Sequence, residues 1–70
     1  MNKEIVIYHL LPHKKGRCLY IEGSVKFSRI VSTRRQGERI GNLFIKKYKR
    51  ARLLIHDKGG VITDFIDYVR

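Results

Sequence analysis

The chain has 70 residues, 43% of them hydrophobic, and a formal net charge of +10 from 16 Lys and Arg against six Asp and Glu. This length allows a single small domain over residues 1–70 with a thin core, and the composition excludes a disordered chain. The apolar runs are too short to span a bilayer, and the one cysteine, Cys18, excludes a scaffold held by internal disulfides. We therefore expect a cytoplasmic globular protein whose basic surface has an anionic partner.

Three β-strands are predicted in the first half of the chain. The first is rich in β-branched and aromatic residues and ends at Pro12, which cannot donate a hydrogen bond to a sheet. A loop over residues 13–16 leads to the second strand. Gly23 and Ser24 are the Gly-first pair favoured in a two-residue type II′ hairpin, so the second strand turns directly into the third. The predicted strands cover residues 4–11, 17–22 and 25–31.

An amphipathic helix is predicted after the third strand. Thr33 and Gln36 have the spacing of a capping box, in which each side chain binds a backbone N–H of the first turn, so the helix should begin at Arg34. At 100° per residue, a stripe of small and apolar residues lies on one side, as in a helix buried on that side. The stripe consists of Gly37, Ile40, Gly41, Phe44 and Tyr48. Its glycines would let the helix approach a sheet closely.

The opposite side of this helix is basic. Residues 34–52 contain eight Lys and Arg against one acid, Glu38, so this segment carries +7 of the total charge. Like charges four residues apart, as at Arg35 and Arg39, slightly destabilise an isolated helix, which favours a functional role for the charge. The alternative, a face that only keeps the protein in solution, stays open. The residues on the basic side are Arg35, Arg39, Asn42, Lys46, Lys49 and Arg50.

Two further strands are predicted after the helix, over residues 51–56 and 61–68, with a turn at residues 57–60. The predicted order is β-β-β-α-β-β. Because short hairpin loops dominate, we expect an α+β fold with an antiparallel sheet and the single amphipathic helix packed on one face. Membrane binding is not expected, because the apolar stripe of the helix is needed to cover the strands.

Several short motifs, spread over nearly the whole chain, resemble a small bacterial and phage family described as a domain of unknown function. The matching positions are His9 and Pro12, Gly16, Glu22-Gly23-Ser24, Thr33-Arg34, Ile55-His56 with Gly60 and Ile62, and Tyr68. The chain departs from the family pattern at Arg17-Cys18, where the family has tryptophan, and at Gly37 or Glu38, where it has alanine. The resemblance implies a similar fold and a prokaryotic or phage origin, and it carries over no catalytic residue.

The three histidines are the candidate catalytic or metal-binding residues. His9, His13 and His56 lack the paired spacing of a zinc site, so we expect no metal. His9 and His56 lie near predicted strand ends and could be neighbours or could bind loop backbone; general acid and base catalysis, as in small basic ribonucleases, would use such residues. Since no nucleophile and base motif is present, and residues 57–60 match neither a P-loop nor a calcium loop, we expect neither an enzyme nor a cofactor.

Aromatic side chains offer a second way to bind nucleic acid, by stacking on unpaired bases. Tyr8, Tyr20 and Phe27 lie one on each of the first three predicted strands. We expect them to pack in the core under the helix, because no RNP-like aromatic cluster is present. Cys18 is expected to be a small buried hydrophobe.

The sequence thus predicts a binding module that contacts nucleic acid mainly through phosphates, using the basic side of the helix. The alternative is an accessory protein of prokaryotic or phage origin that docks on an acidic protein or self-associates, as a homodimer, through an exposed strand edge. The predicted nucleic-acid-binding residues are Arg34, Arg35, Arg39, Lys46, Lys49 and Arg50. The residues that could extend this surface are Lys14, Lys15, Arg17, Lys26 and Arg29.

Overall fold

A computed structural model gives the fold and describes residues 4–23 and 29–70. Within these ranges, five strands and one helix follow the predicted order β-β-β-α-β-β. The elements are β1 (Ile5–His13), β2 (Gly16–Ile21), β3 (Arg29–Val31), α1 (Arg34–Phe44), β4 (Arg50–His56) and β5 (Ile62–Val69). The prediction of an α+β fold with one helix on one face of a sheet is confirmed.

The sheet is mixed, with strand order β3-β2-β1-β4-β5. Three neighbouring pairs are antiparallel, but β1 and β4 run parallel, with Ile5 beside Arg50 and Leu10 beside Ile55. The prediction of a wholly antiparallel sheet is therefore wrong. The reason is α1, which leads the chain from the end of β3 back along the sheet, so that β4 starts at the same end as β1 and runs in the same direction.

The helix begins where it was predicted to begin. The Thr33 hydroxyl accepts a hydrogen bond from the Gln36 N–H at 3.3 Å, and Thr33 itself is extended, as an N-cap should be. The Gln36 amide oxygen accepts from the Ser32 N–H at 2.7 Å instead of the Thr33 N–H, so the capping box is displaced by one residue. This arrangement satisfies backbone donors on both sides of the helix start.

The helix ends at Phe44, earlier than the basic pattern predicted. Lys46 lies in the following turn, where the Tyr48 N–H donates to the Phe44 carbonyl at 2.8 Å. The chain then enters the sheet, because the Arg50 N–H donates to the Glu4 carbonyl at 2.9 Å. Hydrogen bonding to β1 thus takes these residues out of the helix. No helix in the described part of the chain is long and apolar enough to cross a membrane.

The core lies between α1 and the sheet. Its buried members are Tyr8, Leu10, Leu19, Val31, Ile40, Leu53 and Ile55. The Tyr8 hydroxyl donates to the Gly37 carbonyl at 2.9 Å, and the Tyr8 ring meets the Phe44 ring edge-on at 5.0 Å. The predicted stripe is buried at Gly37, Ile40 and Gly41 and half-buried at Phe44, which fixes how α1 sits on the sheet.

The predicted ends of β1, β2, β4 and β5 differ from the structure by up to two residues, most at the end of β1. β1 continues past Pro12 to His13, and its pairing with β4 stops at Leu10, so the missing N–H of Pro12 interrupts no pair with β4. The third strand is described only over Arg29–Val31. Residues 24–28 lie outside the described residues, so Ser24 of the predicted hairpin turn and the predicted start of the third strand lie outside them too. Gly23 has a φ of +85°, a conformation that favours glycine in a turn.

Candidate nucleic-acid interface and the open sheet face

One side of the molecule, which we call the basic flank, is formed by α1, the turn after it and the neighbouring end of β5. Arg35 and Arg39 line a shallow groove between α1 and β5, against Ile66 and Tyr68. Lys46 follows in the turn. The Lys49 carbonyl accepts from the Arg70 N–H at 3.1 Å, and Arg50 lies beside Val69. The basic flank thus consists of Arg35, Arg39, Lys46 and Lys49. Arg50, another predicted contact residue, is not part of it, because Ala51 next to it faces the core and Arg50 therefore lies on the sheet face turned away from α1.

Arg34, the sixth predicted contact residue, is held by two carboxylates. Its Nε is 2.7 Å from Glu38 and its terminal nitrogen is 2.8 Å from Asp64 on β5. On β4, Arg52 makes a forked pair with Asp67 at 2.6 and 3.1 Å. The hydrogen bond from Arg34 holds the pKa of Asp64 below its usual range, and the bond from Arg52 does the same for the pKa of Asp67. These two arginines are therefore each paired with a carboxylate of the same chain.

The basic flank, in contrast, has no direct carboxylate partner among the described residues. Arg50 is near enough to Asp67 to help lower the pKa of that carboxyl, but it does not pair with it. Asp57 is occupied too, since its carboxylate accepts from the Gly59 and Val61 N–H groups at 2.9 and 3.0 Å. The flank thus offers exposed cations with little neutralisation from within the chain.

The other predicted cations lie elsewhere. Lys14 and Lys15 form the β1–β2 turn, at the end of the sheet opposite the turn that follows α1. Arg17 and Arg29 stand on β2 and β3, on the far side of β1 from β5. Lys26 lies outside the described residues. The structure therefore does not bring the described members of this group to the basic flank.

The sheet face turned away from α1 is covered by no described element, and we call it the open face. Side chains alternate along each strand, and the strand registers place those on this face in cross-strand rows. One row runs across four strands. It consists of Tyr20, His9, Leu54 and Phe65. His9 is only 7% exposed within this row, and Phe65 at its end is 56% exposed.

A chain of hydrogen bonds crosses the open face. The Glu22 carboxylate is 2.8 Å from Nε2 of His9, Nδ1 of His9 is 2.8 Å from Nε2 of His56, and Nδ1 of His56 is 3.0 Å from the Gly60 carbonyl. The carbonyl and an ionised carboxylate only accept hydrogen bonds, so the outer ring nitrogens must both carry protons. The contact between the rings needs a third. Two neutral imidazoles carry two, so hydrogen bonding along the whole chain requires one more ring proton than two neutral histidines hold.

The two histidines are thus neighbours, and His56 also binds loop backbone, so both predicted alternatives occur together. All four ring nitrogens of the pair are engaged, which leaves none to take a proton from a substrate in this arrangement. His13 is separate, accepting from the Lys15 N–H at 3.1 Å in the β1–β2 turn. No group of three or more metal-ligating side chains occurs within residues 4–23 and 29–70.

The predicted aromatic trio divides between the two faces. Tyr8 is in the core, as expected, but Tyr20 lies on the open face with its ring stacked on His9, 4.7 Å between centroids. The core prediction for Tyr20 is therefore wrong, and Phe27 lies outside the described residues. Cys18 is half-buried on the open face instead of in the core. Alternation along β2 explains the placement of Tyr20 and Cys18. Leu19 faces the core, so its neighbours Cys18 and Tyr20 face the opposite side of the sheet.

Sequence reasoning missed Glu22 as the partner of His9 and Phe65 as part of an exposed face. Alternation within β2 and β5 is the signal that could have placed them. To identify which residues of different strands are neighbours, this alternation must be combined with the strand register, which the structure gives. Comparison with known proteins gives no match: no family model, curated protein or solved structure is significantly similar to the chain.

Proposed function

We propose that the protein binds nucleic acid through the basic flank, mainly by phosphate contacts and without catalysing a reaction. The observation that carries this proposal is that, in the described part of the chain, some cations are paired with carboxylates, whereas those of the basic flank are not. The acids on α1 and β5 are paired with Arg34 and Arg52, whereas Arg35, Arg39 and Lys46 are exposed and unpaired among the described residues. A surface of this kind attracts a polyanion.

The flank suits a phosphate backbone better than base edges. Arg35 and Arg39 are one helical turn apart, about 5–6 Å between their Cβ atoms, and present planar guanidinium groups that can grip phosphate oxygens with two bonds. Lys46 and Lys49 extend the surface as point charges beyond the helix end. Because these groups are long and solvated, they bind charge without reading sequence. We therefore expect similar affinity for unrelated sequences.

The proposal is tested by fluorescence anisotropy with labelled duplex DNA, single-stranded DNA and structured RNA, each at several salt concentrations. For duplex DNA we expect log K to fall with log salt at a slope of about −4, as for four to five phosphate contacts. The triple variant Arg35→Glu, Arg39→Glu, Lys46→Glu should lose measurable binding at 150 mM salt while its far-UV circular dichroism is unchanged.

The matched control is the triple variant Lys14→Glu, Lys15→Glu, Lys58→Glu. It changes the net charge by the same amount, at exposed turns that lie at the end of the sheet opposite Lys46 and Lys49. We expect this variant to keep most of the affinity. Equal weakening of both variants would contradict a site on the flank. No binding of the native chain to any probe at low salt would contradict the whole proposal and leave the flank as a solvated surface or a dock for an acidic protein.

A further inference from the structure

The open face is apolar over two neighbouring rows. The first carries Tyr20, Leu54 and Phe65 beside His9, and the second carries Ile30, Cys18 and Leu11 beside His56. Phe65 and Ile30, at opposite edges of the sheet, are 56% and 38% exposed. A contiguous apolar area of this kind on a small protein is typical of an interaction site.

The charges on the open face nearly cancel. Among the described residues of this face, Arg50 and Arg52 balance Glu22 and Asp67. The large positive charge of the chain is therefore carried elsewhere, and a polyanion gains little from this face. The occupant that fits it is an apolar, nearly neutral protein surface.

We propose that the open face packs against the open face of a second copy of this chain. Face-to-face sheets lie about 10 Å apart with their strands roughly aligned. A two-fold axis that runs between the two sheets, parallel to β1 and directly above it, places β2 of one copy over β4 of the other. Since Glu22 and Arg52 flank Ile7 in one cross-strand row, this axis puts Glu22 over Arg52 of the second copy. The same axis sets Tyr20 over Leu54.

The position of the axis follows from the charges. An axis between β1 and β4 would set β2 over β5 and bring Glu22 against Asp67, which repel each other. The axis above β1 avoids this and centres the contact on the five strands. The face is therefore complementary to itself in one arrangement.

The area sets the expected strength. The four long strands, about 4.8 Å apart, and four rows about 7 Å apart give a face of roughly 19 by 28 Å, or about 500 Å². Two such faces bury about 1,000 Å², the lower limit for a specific interface. The dimer should therefore be weak, with a dissociation constant on the order of micromolar.

The test is sedimentation velocity of the full chain from 1 μM to 1 mM, with variants matched for exposure. Phe65 on the open face and Leu43 on α1 are both 56% exposed. Phe65→Glu should raise the dissociation constant at least tenfold, and Leu43→Glu should leave it within twofold. A chain that stays monomeric at 1 mM, or equal effects of the two variants, would overturn the proposal.

A charge swap separates this arrangement from pairing along the free edge of β5. Glu22→Arg and Arg52→Glu should each weaken the dimer, and the double variant should recover at least half of the lost association. Urea unfolding at low concentration checks that each variant still folds. Glu22 directly follows β2, which is an inner strand, so it takes no part in pairing along the β5 edge. A dimer that Glu22→Arg does not weaken would therefore point to the β5 edge and overturn the face-to-face arrangement.

Discussion

His9 shows how a single polar residue is accommodated on an apolar sheet. It is almost fully buried, yet both of its ring nitrogens have partners at 2.8 Å, and its ring is stacked on Tyr20. A buried imidazole without partners would cost about 1–3 kcal/mol, so the arrangement of Glu22 and His56 around it removes a large penalty. Hydrogen bonding along the whole chain also requires a fixed number of ring protons on the two histidines.

We predict that the hydrogen-bonded arrangement of Glu22, His9 and His56 holds three protons on the two imidazole rings. Long-range ¹H–¹⁵N spectra of the imidazole nitrogens should show three protonated nitrogens and one bare nitrogen shared between the rings. A Gln at position 22 can donate as well as accept, so Glu22→Gln should return the pair to two ring protons. Two protons in the native chain would contradict the hydrogen-bond chain described above.

At the scale of elements, the position of α1 depends on two glycines. A Cβ at Gly37 would meet the tip of the Leu10 side chain, whereas a Cβ at Gly41 would collide with the ring of Tyr68. Tyr68 cannot move easily, because its hydroxyl donates to the Glu38 carbonyl at 2.5 Å, one turn of α1 away. The close approach inferred from the glycines is thus confirmed, and its strictest point is Gly41.

We predict that Gly41→Ala destabilises the protein by about 1–3 kcal/mol, although alanine is the better helix former by about 1 kcal/mol. Gly37→Ala should be less costly, because the end of a leucine side chain can turn aside. Urea unfolding followed by circular dichroism measures both. Asn42→Ala, at an exposed helix position, is the control and should change stability by less than about 0.5 kcal/mol. A neutral Gly41→Ala would show that the helix has room to move.

The elements also show what the sequence allows one to predict. The helix start was predictable, because Thr33 and Gln36 act within a few residues of each other. Its end was not, since no glycine or proline follows Phe44 and pairing of Arg50 with β1 decides it. The same limit applies to the site: Arg34 looked like a free cation because its partner Asp64 is 30 residues away. Cations near one another in sequence were identified, but carboxylates from distant strands decide which remain free.

At the scale of the whole molecule, positive charge opposes folding. The chain has a net charge of +10, and several of its few acids are used in local pairs that long-range screening affects little. The remaining cations repel one another across a molecule only 34 × 24 × 19 Å in extent, about the Debye length at 0.01 M salt. Self-repulsion of this range is reduced by ordinary salt concentrations.

We predict that sodium chloride stabilises the protein. The urea midpoint should rise between 0.01 and 0.15 M salt, as the screening length falls from about 30 to about 8 Å. The triple variant Arg35→Glu, Arg39→Glu, Lys46→Glu has six fewer positive charges in net terms and should show a smaller rise. A midpoint that falls with salt would mean that the ion pairs of Arg34 and Arg52 outweigh the repulsion.

The parallel pairing of β1 with β4 has a consequence for the order of folding. It joins residues 45 positions apart, from Ile5 beside Arg50 to Leu10 beside Ile55, whereas β1 and β2 are joined by a tight turn. Local contacts form before distant ones, because closing a long loop costs entropy first. During synthesis, the first hairpin can therefore form early, while the other edge of β1 waits without a partner until β4 leaves the ribosome. For that interval the central strand of the finished sheet is an edge strand, open to a chaperone or to a neighbouring nascent chain.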